Sequence, residues 1–305
     1  MSRAGNTVLP SFAIAVVGVL WGAYWIPTRW MQAHGVGPAW MSLATSLIIL
    51  TATIPALLIH RSASRSLSVP GLLTGVCLAA SFTLYNTSLI LTTVVTAVLL
   101  FYVSPLWSTL LGWLIKGDRL SLPRLLALLL GFLGLVVTLG FDHGLPIPRS
   151  LGDWLAVCSG VIWAYGSIRS YSSSDQSILG NVLAFNLGAA ATAGLALLVL
   201  PVSAAGAMPT IAIWQATLPF LAMLALLFVL PSTFILVWGT QRLPAPRVGI
   251  LLMTEIVAGT LTAALLANEP FGPQQIAGAL LILAAGVIEV LSRVPAKLQT
   301  RETHS

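Results

Sequence analysis

Ten stretches of about 20 mostly apolar residues leave this chain one solvent to fold in, because that is the length a helix needs to cross the hydrocarbon core of a bilayer. They run at roughly 9–30, 38–60, 69–91, 94–115, 124–141, 152–170, 180–200, 216–241, 247–267 and 273–292. Of the 305 residues 57% are hydrophobic and only 7% charged, against about a quarter charged in an ordinary soluble domain. So few charges cannot cover a water-exposed surface of this size, whereas lipid tolerates them. The fold class expected is therefore all-α, a polytopic membrane protein of ten transmembrane helices. Two links are tight: Leu91 to Val94, and the turn Arg242–Arg247 with its prolines Pro244 and Pro246. Fusing helices across either would change the count.

The net charge of +6 would suggest nucleic acid if the basic residues formed one patch. They sit instead at helix ends and in short connections. With the N-terminus placed in the cytoplasm, twelve fall inside (Arg3, Arg61, Arg65, Lys116, Arg119, Arg124, Arg169, Arg242, Arg247, Arg293, Lys297 and Arg301) and two outside (Arg29 and Arg149). This positive-inside bias puts both termini in the cytoplasm of a bacterial-type inner membrane. The first apolar stretch runs on through Trp21 to Trp30 without a small-residue cleavage site, so it is expected to stay as an anchor. Cys77 and Cys158 lie inside apolar segments and are expected to be small buried hydrophobes, not a disulfide.

An internal repeat divides the chain into 1–141 and 142–305, the second part ending in a short cytoplasmic tail. The first helix contains Gly18-Val19-Leu20-Trp21-Gly22-Ala23-Tyr24 and the sixth Gly160-Val161-Ile162-Trp163-Ala164-Tyr165, 142 positions later. The fourth ends Lys116-Gly117-Asp118-Arg119-Leu120 before Pro123, and the ninth ends Ala267-Asn268-Glu269-Pro270-Phe271 before Pro273, at an offset of 151. Five helices per half is an odd number, so the second half enters the membrane from the opposite side. Two inverted five-helix repeats are an architecture of secondary transporters, with the substrate site where the halves meet.

These residues resemble the drug/metabolite transporter superfamily, specifically its EamA-type ten-helix permeases, over about Phe12 to Leu291. Trp21-Gly22 matches the family's opening, Tyr85-Asn86-Thr87-Ser88 its polar third-helix end, and Pro105 with Gly117-Asp118 its fourth helix, where Asp replaces the usual Glu. Glu255 stands where the second half commonly has a mid-helix proline. The resemblance implies export of small metabolites, amino acids first among them, and the aromatic richness is similar to the YddG-type aromatic amino-acid exporters. Multidrug or lipophilic-cation export is the alternative within the class; a non-transporting membrane enzyme or scaffold is the alternative outside it.

Glu255 is the most informative residue. It lies about eight positions into the ninth helix with no basic neighbour in sequence, where a carboxylate costs several kcal/mol unless paired, hydrated or protonated. It is expected either to bind a substrate amine and couple protons, or to be a neutral acid hydrogen-bonded to another helix. Aromatic and small polar residues form stripes at helical spacing: Trp21 and Trp25 on the first helix, Ser81, Tyr85 and Ser88 on the third, Trp163 on the sixth. Tyr102 flanks Pro105, and Trp238 lies late in the eighth helix. Such residues suit a cavity for an amphipathic solute, although Trp and Tyr also form interfacial belts. The expected substrate-binding set is Trp21, Trp25, Ser81, Tyr85, Tyr102, Trp163, Trp238 and Glu255. Arg29 and Arg169 are taken as interfacial charges, Asp118 and Glu269 as helix-end acids, and Pro105 and Pro231 as the deepest kinks. No phosphate loop or metal-ligand spacing supports an enzyme, a cofactor or direct ATP drive. The partners expected are a small solute, lipid and protons, with no nucleic acid.

Overall fold

A computed structural model describes residues 7–59, 69–117, 121–140, 147–172, 177–267 and 271–292. Arg3, Arg61, Arg65, Arg119, Arg293, Lys297, Arg301, Asp118, Glu269 and three of the four histidines lie outside these residues. The matching motifs around Asp118 and Glu269 are therefore only partly described.

Ten apolar helices cross the described structure: α1 Val8–Ala33, α2 Pro38–Ile59, α3 Val69–Leu91, α4 Val94–Lys116, α5 Leu122–Leu139, α6 Leu151–Ser172, α7 Ile178–Val199, α8 Ile211–Thr240, α9 Ala245–Ala267 and α10 Pro273–Leu291. The tight links are real breaks. Thr93 caps α4 by accepting the Thr96 amide at 3.3 Å, and Pro244 and Pro246 open α9. The α8 helix begins at Ile211, five residues before the sequence-based boundary of 216.

Four helices are interrupted, and proline accounts for three of the interruptions. Pro27 and Pro105 cannot bond the carbonyls four residues earlier, Ala23 and Phe101, and α1 and α4 break at Ala23–Tyr24 and Tyr102–Val103. Pro231 follows a π-turn at Ala225–Val229, a wide turn that accommodates its missing N–H. The α9 helix breaks at Met253 without a proline. There the Thr254 hydroxyl lies 2.9 Å from both the Leu251 carbonyl within the helix and the Ala15 carbonyl of α1. The breaks tighten into i→i+3 turns, as in Tyr24 N to Trp21 O at 2.9 Å and Ile256 N to Met253 O at 3.0 Å.

Packing follows a pattern that survives exchange of α1–α5 with α6–α10. The pairs α5–α10, α4–α9 and α2–α7 map onto themselves; α3–α6 maps onto α1–α8, α3–α7 onto α2–α8, and α1–α9 onto α4–α6. The pattern is broken most consequentially around α6. The α6 helix packs on α8 and α9, whereas the corresponding helices α1, α3 and α4 stand apart above the contact of Trp21 with Phe82 at 4.6 Å. Close seams use small residues: a Cβ on Gly22 would sit 2.4 Å from the Glu255 carbonyl oxygen, and one on Gly18 2.2 Å from Thr254 Oγ1. The small-xxx-small face of α1 thus seats the turn of α9 that carries Glu255.

Candidate functional site

The gap between α1, α3 and α4 is a cavity of about 430 Å³. It opens at the end of the bundle where Arg29, Leu89, Leu139 and Leu200 lie, and its floor reaches Glu255. Half-buried Glu255 projects from the first turn of the second α9 segment, immediately past the break at Met253. Tyr102, the residue at which α4 breaks, donates its phenolic O–H to Glu255 Oε2 at 2.6 Å and lies 3.4 Å from the Leu252 carbonyl oxygen. A hydrogen bond to a carboxylate is among the strong ones. Two interrupted helices are thereby joined by one side-chain bond at the cavity floor.

The walls are aromatic. Trp21 meets Phe82 edge-on, and Phe82 in turn meets Trp163 at 5.4 Å. Tyr85 lies 4.4 Å from Phe101, which meets Tyr102 at 5.1 Å. Higher up, the Trp25 indole donates to Thr262 Oγ1 at 3.0 Å, and the Arg29 guanidinium lies 4.7 Å over the Trp25 ring. Hydroxyls punctuate this surface; Thr83 and Thr192 share a hydrogen bond of 2.7 Å. A solute here meets ring faces along its length, a carboxylate at the floor and a guanidinium near the mouth.

Of the eight sequence-derived site residues, Trp21, Trp25, Tyr85, Tyr102 and Glu255 line this cavity. Trp163 lies beneath it, almost fully buried, and lines a void of about 10 Å³ together with Trp21, Tyr102, Ser104 and Glu255. Ser81 is elsewhere: it is buried and donates to the Ser159 carbonyl at 2.9 Å, binding α3 to α6. Trp238 is also away from the cavity, its ring under the Arg242 guanidinium at 4.6 Å near the end of α8. A stripe on a helix marks a face but not the neighbour that face meets, and both residues face helices or headgroup-level charge.

Two polar clusters escaped the sequence reading. At the closed end, Arg247 and Glu289 are fully buried, with Arg247 Nε 3.3 Å from Glu289 Oε1 and Arg124 Nε 3.7 Å from the same oxygen. Arg247 also donates to the carbonyls of Glu289 and Ser292 and to Thr7 Oγ1. Arg124 and Arg247 are therefore not loop charges, although they stay at the end the charge pattern assigned them. Arg169 likewise is more than a snorkelling charge: it bonds Thr74 Oγ1 at 3.2 Å and the Pro70 carbonyl at 2.9 Å. At the open end Asp153 accepts from Thr92 Oγ1 at 2.6 Å and from the amides of Arg149 and Ser150, pinning the start of α6 to the α3–α4 link. The spacing of Ser150 and Asp153 is a capping pattern that could have revealed this second cluster.

The model of the EamA-like transporter family matches residues 9–140. No curated protein matches this chain in sequence. One solved crystal structure aligns at 22% identity over 94% of this chain and 96% of its own, with a TM-score of 0.73, which is a likeness of fold.

Proposed function

With an EamA-like transporter domain spanning residues 9–140 as its premise, we propose that this multi-pass membrane protein is a secondary transporter that exports small metabolites, most of all neutral or aromatic amino acids, by alternating access. The observation that carries this reading is the Tyr102–Glu255 bond at the floor of a one-sided aromatic cavity. A carboxylate kept inside apolar helices costs several kcal/mol unless it has a task or a partner, and Glu255 has both a partner and open space beside it. It takes the ammonium group of the solute and exchanges it for a proton. The rings supply apolar area, and Arg29 meets a carboxylate near the mouth. Residues 1–141 and 142–305 act as an inverted pair, a reading supported by the odd helix number and the exchange pattern of contacts. The charge distribution supports an inner membrane with both termini cytoplasmic, so the open end faces outward.

Counterflow of labelled Phe into liposomes holding the purified protein, scanned over pH, tests this. The native protein exchanges Phe with a pH-dependent rate. Glu255→Gln folds and loses about 10- to 100-fold in rate, the equivalent of one charge-assisted hydrogen bond. Unchanged, pH-dependent exchange by that variant would remove Glu255 from the mechanism. The aromatic walls beside a carboxylate also favour a lipophilic cation; stronger competition by such cations than by amino acids would select that cargo instead.

A further inference from the structure

Below the floor the helices close, yet the seam is not apolar. Ser108 of α4, Ser167 of α6 and Thr233 of α8 are almost fully buried, and their hydroxyls have no hydrogen-bond partner among the described residues. Most buried polar groups in folded proteins are paired, and leaving one unpaired costs about 1–3 kcal/mol. Three such groups on helices that close below the floor call for a cause. Ser104, also buried, lines the small void under Tyr102 and Glu255. One turn farther along α4 stands Ser108, on the same face. On α6 the same descent runs from Trp163 to Ser167. It ends at Ser170, whose hydroxyl meets Thr240 Oγ1 of α8 at 2.8 Å.

These positions are not arbitrary. The offset of 142 that relates Trp21 to Trp163 carries Trp25 to Ser167 and Thr28 to Ser170. The offset of 151 that relates the ends of α4 and α9 carries Ser104 to Glu255 and Ser108 to Gly259. Trp21, Trp25, Thr28, Glu255 and Gly259 all line the open cavity. Ser104, Ser108, Ser167 and Ser170 are therefore the images, on the closed side, of residues that face space on the open side, and Thr233 lies two turns before Thr240 on the α8 face that meets Ser170.

We propose that Ser104, Ser108, Ser167 and Thr233 line a second, hydroxyl-walled half-site that is collapsed in this conformation, and that the Ser170–Thr240 contact is the latch holding it shut. This deepens the transporter reading and rests on it. The opened half-site takes the polar groups of the same solute through hydroxyls alone, since the image of Glu255 is a serine. A solute entering from the closed side meets hydroxyls alone until it reaches the floor, where Glu255 supplies its only carboxylate partner, which favours onward transfer to the open side.

The test uses the full chain in liposomes with Cys77 and Cys158 replaced by alanine. Ser170→Cys with Thr240→Cys places two sulfurs where oxygens lie 2.8 Å apart, and a small approach of the side chains brings them to the about 2.0 Å of a disulfide. Oxidation is expected to abolish Phe counterflow and a reducing agent to restore it, while Thr28→Cys in the open cavity stays reactive to an impermeant maleimide throughout. Ser167→Cys, in a separate variant, is expected to label from the closed end only when substrate is being exchanged. Full counterflow with the crosslink formed, failure of the crosslink to form, or a Ser167→Cys that never labels during exchange would overturn the proposal. Absence of counterflow in the uncrosslinked parent would instead sink the transporter reading, so the two failures are distinguishable.

Discussion

On the open side of the floor, Trp25 and Thr28 face a cavity of about 430 Å³; on the closed side their images Ser167 and Ser170 are buried, Ser170 against Thr240 of α8, and the void left under Tyr102 and Glu255 is about 10 Å³. The backbone plan is shared: an aromatic–small pair at the floor, Trp25 or Ser167 a turn away, and a small hydroxyl residue, Thr28 or Ser170, two turns away. What differs is how the helix continues. Pro27 breaks α1 at Ala23–Tyr24, and its second segment, Trp25–Ala33, leans away from α3 and α4. The α6 helix has no proline and runs unbroken from Leu151 to Ser172, so its last turns stay against α8 and α9. A single residue type thus separates a helix that opens from one that remains shut.

That contrast can be broken or sharpened by substitution. The largest expected effect is on the closed side. Arg247→Met leaves Glu289 buried with only Arg124 near it, and loss of one partner of a buried pair costs about 3–5 kcal/mol. A marked drop in the melting temperature in detergent is expected, and an unchanged one would show that the cluster does not hold the closed end. Next is the seam behind the floor. Gly22→Leu forces α1 off the Glu255 turn, at about 1–3 kcal/mol for overpacking and with near-complete loss of exchange; activity retained at the native level would mean that the α1–α9 contact does not position the carboxylate. Tyr102→Phe removes the bond between the two broken helices and should slow counterflow about tenfold, which matches about 1.4 kcal/mol, with little change in thermal stability. The smallest effect belongs to Trp238→Phe, expected to stay within about twofold of native exchange, since weak aromatic–cation contacts at exposed sites are worth about 0.5–1 kcal/mol. A severe loss there would extend the site toward the Arg242 end.

The helix count and spans were legible in the sequence because hydropathy over twenty residues is a long-range average that no single contact overrides. Tyr102 and Glu255 could be singled out by chemistry, one flanking a proline and the other charged in an apolar helix. Their mutual bond could not, because it spans 153 positions of chain. Ser81 carried the right residue type on the right periodicity and Trp238 the right residue type late in its helix, yet neither signal tells whether a face meets a cavity, a helix or an arginine. Glu289 stayed hidden for the opposite reason. It lies two residues from the end of its described helix, where acids ordinarily reach the headgroups, and only the approach of α5 and α9 turns it into a buried anchor.

The α9 helix is fixed at one end and severed in its middle. Arg247 moors its first segment to α10, and the cut at Met253 separates it from a second segment of 14 residues that rests on α1 through Gly22 and the Trp25–Thr262 bond. At 1.5 Å per residue that segment is a rod about 21 Å long. Pivoting by about 10° at the cut would carry its far tip nearly 4 Å, wider than a water molecule, while Glu255 at its base barely shifts. Such a lever alters access at the rim and leaves the carboxylate where the passenger last met it.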